Sequence, residues 1–118
     1  MFINYKKLYK KLVNEIERLW NGFNFGYSIE ESEDMNERYE GYFDTLSDFY
    51  VYYLSKYKVH DKMNNVKIIN YRKRYLDIVE HIKNLHSKAM EESKIYGPDD
   101  EYINGVLDCA RDLLAIIY

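Results

Sequence analysis

Residues 68–89 read IINYRKRYLDIVEHIKNLHSKA, and this stretch decides the fold that the sequence predicts. Its apolar and aromatic residues recur at steps of three and four, with charged residues between them. Such steps place side chains on one face of an α-helix, whereas a half-buried strand alternates every second residue. We therefore predict a long amphipathic helix that is capped by Asn64 or Asn65 and ends at Gly97 and Pro98. Its apolar face is formed by Ile68, Tyr71, Tyr75, Ile78, Ile82, Leu85 and Ala89.

The same periodicity continues on both sides of this helix and predicts three more helices. Asn4 is the predicted cap of the first, and the second starts at a capping sequence at either Ser28 or Ser32. Segments 21–26 and 59–65 break the pattern and are predicted to be loops. Glycines and proline are predicted to lie where helices start, stop or are interrupted. The predicted ranges of these helices are 5–20, from Ser28 or Ser32 to about 58, and 98–118 with Pro98 in the first turn.

Four helices joined by short loops predict an all-α fold, an antiparallel up-down four-helix bundle. The second and third predicted helices are the longest, so they form a long central hairpin. We predict that residues 1–118 are a single helical-bundle domain, since 118 residues leave little room for a second core. A coiled-coil dimer built on the hairpin is the alternative, because regular heptads can also be satisfied between two chains.

Composition limits the classes of protein to consider. The chain is 47% apolar and 31% charged, as in an ordinary globular domain, which excludes a disordered or collagen-like chain. Cys109 is the sole cysteine, and the first residues do not resemble a signal peptide. No stretch is long and apolar enough to span a bilayer. We expect a soluble protein in the reducing cytoplasm, without a membrane partner and without a cofactor.

The net charge changes sign along the chain. It is positive in 1–27 and 49–90 and negative in 28–48 and 91–118. In an up-down bundle, the start of the first helix, the end of the second and the start of the third meet at one end. That basic end collects Lys6, Lys7, Lys10, Lys11, Lys56, Lys58, Lys62, Lys67, Arg72, Lys73 and Arg74. The opposite, acidic end collects Glu30, Glu31, Glu33, Asp34, Glu37, Glu40, Glu91, Glu92, Asp99, Asp100 and Glu101.

Each charged end suggests a partner. The basic end would suit the phosphates of a nucleic acid, with tyrosines among the lysines on which bases could stack. The acidic end would suit a basic protein, by imitating nucleic acid, although acidic residues in the first turn of a helix also stabilise that helix. The residues that we expect to carry nucleic-acid binding are Lys10, Lys67, Arg72, Lys73, Arg74 and His81.

Arg74 and His81 are separated by six residues and share one face of the third predicted helix. This spacing resembles the motif of HEPN-type ribonucleases, which are helical domains of similar size. The resemblance implies a dimer in which arginine and histidine from both chains cleave RNA. Tyr75 follows the arginine here, where that family often has a polar residue. The alternative function is therefore a nucleic-acid-binding or HEPN-like ribonuclease domain that uses the basic end.

Other patterns that carry chemistry are weak in this chain. Asp77 and His81 are four residues apart, but no third ligand has helical spacing with them, and His86 turns away. Cys109 on a helix flank is more typical of a small buried residue than of a nucleophile. The sequence has no phosphate-binding loop and no catalytic triad order. We predict no metal site, no catalytic residues and no enzymatic activity.

Fourteen tyrosines are the most unusual feature of the sequence. Residues 49–54, FYVYYL, are apolar or aromatic on every side of the second predicted helix, so part of this stretch is expected to be covered by a partner. Tyrosine is enriched at protein interfaces. The predicted partner-binding residues are Tyr50, Val51, Tyr52 and Tyr57.

The first functional hypothesis is therefore a small non-enzymatic protein-binding module that docks onto a target protein and blocks it. In scale, the chain resembles the small inhibitors of phages and mobile elements, including anti-defence proteins, and immunity bundles. Its partner would be another protein of unknown identity. Nucleic acid is the alternative partner, and a homodimer is the third possibility.

Overall fold

The computed structural model describes residues 3–26 and 33–117, without the side chains of 23–26, 33–36 and 52–54. Its described elements are helical throughout, so the predicted all-α bundle is confirmed. The elements are α1 (Tyr5–Gly26), α2 (Glu33–Asp48), a π-helix (Phe49–Ser55), α3 (Lys56–Met63), α4 (Tyr71–Tyr96) and α5 (Glu101–Ile117).

Among the described residues, side-chain caps begin α1, α4 and α5, whereas the predicted caps Ser28 and Ser32 lie outside the described residues. Asn4 Oδ1 accepts a hydrogen bond from the Lys7 amide at 3.1 Å, which confirms the predicted cap of α1. The predicted start of the long helix was wrong, because Asn70 caps α4 by accepting from the Lys73 amide at 3.1 Å. The predicted start at Pro98 was also wrong. Asp100 caps α5, since its Oδ1 accepts from the Ile103 amide at 3.0 Å.

The asparagine pair before α4 ends a helix and does not begin one. The Asn64 amide donates to the His60 carbonyl at 3.0 Å, and its side-chain amide donates to the same oxygen at 2.9 Å. Asn65 has a φ of 49°, in the left-handed region that asparagine tolerates at the C-terminal ends of helices. Residues 59–63, predicted to be a loop, are therefore the last turns of α3.

Helix α1 continues through the segment predicted to be a loop, and its backbone is helical to Gly26. Trp20 stacks on Tyr50 with ring centroids 5.2 Å apart and also contacts Phe43 at 5.8 Å. This packing anchors the helix where breaker residues begin. A single exposed glycine costs a helix only about 1 kcal/mol, so tertiary contacts override the local preference.

The core follows the predicted periodicity. Periodic positions of α1, α2 and α4 supply buried side chains, among them Ile16, Leu46, Ile78 and Ile82, which are fully buried. The main cluster is formed by Leu12, Ile16, Leu46, Phe49, Ile78, Ile82, Cys109 and Leu113, and a second by Ala89, Leu107 and Ala110. Each fully buried aliphatic side chain contributes about 1.5–3 kcal/mol of hydrophobic stabilisation.

Helices α2 and α5 make the most extensive contact in the bundle, and they touch backbone to backbone. A Cβ atom on Gly41 would overlap the Tyr102 carbonyl oxygen and lie 3.1 Å from the Val106 nitrogen. One on Gly105 would overlap the Arg38 carbonyl oxygen and lie 2.9 Å from the Tyr42 nitrogen. These two glycines lie inside helices, so the prediction that glycines mark helix boundaries was wrong for them.

The remaining predictions concern membrane crossing, the order of the helices, the number of domains and the location of the protein. Within 3–26 and 33–117, no helix combines the length and the apolar character that a membrane crossing requires. The up-down order of the helices and the single domain over 1–118 stay predictions. The cytoplasmic location also stays a prediction.

Candidate functional site

The three basic segments meet at one end of the bundle. The rings of Tyr5 and Tyr75 lie 6.0 Å apart, and those of Tyr9 and Tyr71 lie 5.5 Å apart, which joins the start of α1 to the start of α4. Arg74 of α4 pairs with Asp61 of α3. The basic end predicted from the charge pattern is thus assembled from α1, α3 and α4.

Arg74 holds this end together. Its Nη1 donates to Asp61 Oδ2 at 2.8 Å, its Nη2 donates to Asp61 Oδ1, and its guanidinium lies 4.5 Å from the centre of the Tyr57 ring. Only 12% of its side chain is exposed. Hydrogen bonding raises the pKa of Arg74 and lowers that of Asp61, so both groups stay ionised at neutral pH. Because the guanidinium of α4 binds the carboxylate of Asp61 in α3, it holds the two helices together.

A cleft opens beside this ion pair, between α3 and the start of α4. We call it the α3–α4 cleft, and its volume is about 650 Å³. It combines apolar side chains from the connection between the two helices with lysines from both walls. The lining residues are Lys56, Tyr57, His60, Val66, Ile68, Ile69, Asn70, Lys73, Arg74 and Asp77.

The exposed apolar residues next to this cleft were missed by the sequence analysis. Ile68 is 90% exposed, Met63 is 80% exposed and Val59 is 56% exposed. Ile68 had been predicted to face the core, but α4 begins only at Tyr71, so the helical pattern does not extend back to it. Val59 and Met63 lie in the segment that was predicted to be a loop. The sequence feature that could have revealed them is a spacing of four residues, from Val51 through positions 55 and 59 to position 63. This spacing keeps side chains on one side of a helix.

The structure separates the predicted partner-binding residues whose side chains it describes. Tyr50 stacks on Trp20, and Tyr57 faces Arg74, so both pack against the core. Val51 is exposed. The side chain of Tyr52 lies outside the described residues. Of the three that are described, Val51 therefore presents the most open side chain to a partner.

Of the predicted nucleic-acid residues, Lys10, Lys67, Arg72 and Lys73 are exposed. Lys73 lines the α3–α4 cleft, and the Arg72 guanidinium lies 5.9 Å from the centre of the Tyr5 ring. Tyr9, Tyr57 and Tyr75 pack against the core. Because these rings are engaged inside the protein, the basic end offers bases fewer stacking platforms than its composition suggested.

His81 lies apart from Arg74. Its ring contacts Phe49, with centroids 5.4 Å apart, and it lines a different cavity of about 370 Å³ together with Asp44, Asp48 and Tyr102. Arg74 and His81 of one chain therefore line two separate cavities. The spacing that resembles the HEPN motif does not bring its two residues to one pocket within the chain.

His81 is expected to make the stability of the fold depend on pH. Burial lowers its pKa below the ordinary value of 6.5, because desolvation disfavours the charged imidazolium. The folded state thus prefers the neutral ring, so this contribution is complete above about pH 6.5 and decreases as the pH falls below it. In urea unfolding at pH 7.5 and pH 5.0, the stability of His81→Gln should decrease less than that of wild type. Equal decreases would contradict this assignment.

Helices α2 and α5 carry carboxylates that are partly neutralised by bonds between the two helices. Arg38 Nε donates to Asp108 at 2.6 Å, and the Tyr42 hydroxyl donates to Asp112 at 2.5 Å. The Tyr102 hydroxyl donates to Asp44 at 2.9 Å, and burial together with this bond raises the pKa of Tyr102 to about 12. These bonds join α2 to α5 around the glycine contact. Imitation of nucleic acid by the acidic end stays a prediction.

In the described part of the chain, no three histidine, cysteine or acidic side chains converge as metal ligands. Comparison with known proteins gives no family for this chain: no protein-family model, no curated protein and no solved structure matches it.

Proposed function

We propose that this protein is a non-enzymatic binding module that docks onto another protein through the surface around α3 and blocks it. The observation that carries the proposal is a set of exposed apolar side chains beside the α3–α4 cleft. Val51, Val59 and Met63 form what we call the exposed stripe, which follows one side of the π-helix and α3.

The stripe and the cleft are parts of one surface. Met63 is three residues from His60, which lines the cleft, and four from Val59, so it neighbours both on the helix. A single exposed apolar residue is ordinary, whereas a contiguous group of them beside a concavity is typical of interaction sites. Ile68 adds the most exposed side chain of this group from the other side of the cleft.

The mode of action that suits such a surface is steric blocking. The bundle is 48 Å long and 24–28 Å across, large enough to cover an interface of standard size on its target. We propose an inhibitor of the phage, mobile-element or immunity type, acting in the cytoplasm. The engagement of Arg74 by Asp61, and the separate cavity of His81, favour docking over catalysis.

Nucleic-acid binding is the second candidate. The exposed Lys67, Arg72 and Lys73 at the basic end favour it, since exposed cations bind phosphates. In that case, affinity for single-stranded RNA or DNA would fall steeply as salt rises. The exposed apolar residues favour a protein partner over this candidate, because phosphate contacts do not require them.

The proposed function can be tested by affinity capture from a lysate of the source organism, with and without nuclease. The test variant is Val59→Asp with Met63→Asp, and the matched control is Ile95→Asp, since Ile95 is 75% exposed at the far end of α4. We expect wild type and the control to retain one stoichiometric protein after nuclease treatment. The test variant should lose it while keeping its helical circular dichroism.

Two outcomes would count against the proposal. Capture of nucleic acid alone, or of proteins that nuclease removes, would favour the second candidate. A stoichiometric protein that binds the test variant as tightly as wild type would show that the exposed stripe does not carry the contact.

A further inference from the structure

The α3–α4 cleft has an apolar floor and a cationic rim. Val66 and Ile69 are half-buried and supply the floor from the connection, and the exposed Ile68 stands at its edge. Lys56 of α3 and Lys73 of α4 line the cleft from the two helices. Apolar residues bordered by lysines on two sides favour a ligand that has both apolar groups to bury and negative charge.

The rim cations are not neutralised by the described part of the chain. There, Lys56 and Lys73 of the rim form no ion pair, and neither do the exposed Lys62 and Lys67 of the intervening residues. The acidic groups near them are Asp61, which is bound by Arg74, and Asp77 in the lining. Positive charge therefore predominates around the cleft, and a partner with carboxylates would complement it.

The wall formed by α4 has the dimensions of a helix-binding groove. Its lining residues Asn70, Lys73, Arg74 and Asp77 follow the three-four spacing of one helical face. At about 1.5 Å per residue, this wall is about 10 Å long, enough to contact two turns of a second helix. The apolar floor can then take side chains that recur once per turn.

We propose that the α3–α4 cleft binds an acidic amphipathic helix of the partner protein, with apolar residues on the floor and carboxylates against the lysine rim. This inference rests on the proposed function and identifies the chemistry of its partner. Such helices dock through residues at i, i+3, i+4 and i+7, which matches a floor bordered by one helical face.

The test uses the full chain and a phage-displayed library of random 16-residue peptides, followed by synthetic peptides of the enriched sequences. We expect enrichment of acidic peptides that carry apolar residues at helical spacing. Their affinity should fall at least tenfold with Ile68→Glu and with Lys73→Glu, and should be unchanged with Ile95→Glu. Because both test residues are exposed, the variants should keep the thermal stability of wild type.

Several results would overturn this inference. These are enriched peptides that are basic or lack helical spacing, peptides that bind Ile68→Glu as well as wild type, and no enrichment at all. Binding of single-stranded RNA alone, lost with Lys73→Glu, would assign the cleft to nucleic acid. Self-association by light scattering, lost with the same variant, would assign it to a second copy. A captured partner that still binds both variants would leave the proposed function standing and remove only this cleft from it.

Discussion

Replacing Gly41 or Gly105 with alanine should lower the free energy of unfolding by about 3 kcal/mol or more, a large part of the stability of a domain this size. Each added Cβ would overlap a backbone carbonyl oxygen of the facing helix. Backbone atoms cannot move aside as a flexible side chain can, so α2 and α5 must separate. Their separation would also strain the Arg38–Asp108 and Tyr42–Asp112 bonds that flank the contact.

Gly22→Ala is the matched control for this experiment. Gly22 also lies within a helix, but no atom of another element lies within 4 Å of the position where its Cβ would stand. Alanine is the better helix former, so this variant should gain about 0.5–1 kcal/mol. Urea unfolding of the three variants separates the two effects. If Gly41→Ala and Gly105→Ala behave like Gly22→Ala, the close crossing of α2 and α5 is wrong.

Cys109 should react with iodoacetamide at least about a thousandfold more slowly in the folded protein than in urea, because alkylation requires unfolding of the segment around it. Its side chain is fully buried. Burial and the carboxylates of Asp108 and Asp112 also raise the pKa of its thiol, which reduces the fraction of reactive thiolate. Mass spectrometry at several times measures both rates.

This labelling experiment also tests the interpretation of the chain as a protein without enzymatic chemistry. A thiol that acts as a nucleophile must be accessible and partly ionised at neutral pH. A rate in the folded state within tenfold of the unfolded one would identify Cys109 as a reactive group. Gly105→Ala should raise the rate in the folded state, because Gly105 lies one helical turn before Cys109.

The helical core could be predicted because local periodicity and burial agree there. Ile78 and Ile82 repeat at helical spacing, and both are fully buried. The cap at Asn4 was predictable for a similar reason, because its side chain and the amide that it binds are three residues apart. Both inferences depend on interactions within one segment, whose geometry is set by the helix itself.

The residue at which α4 begins could not be predicted from the periodic pattern in the same way. Ile68 continues the heptad of α4 in the sequence, yet it lies in the connection and is almost fully exposed. Asn64 and Asn65 were the predicted caps, but the structure uses Asn70 for that role. Because α4 begins a few residues later than predicted, Ile68 belongs to the candidate site and not to the core.

The sequence by itself determined that this chain folds into helices with one apolar face each and that its basic segments are separated from its acidic ones. Periodicity and charge depend on residues that are close together in the sequence, so both can be recognised without the tertiary structure. Only the tertiary structure decided that α2 and α5 touch at Gly41 and Gly105, that Arg74 is bound by Asp61, and that Lys56 and Ile68 line one cleft. These features join residues that are distant in the chain, and no local pattern specifies which helix faces approach each other.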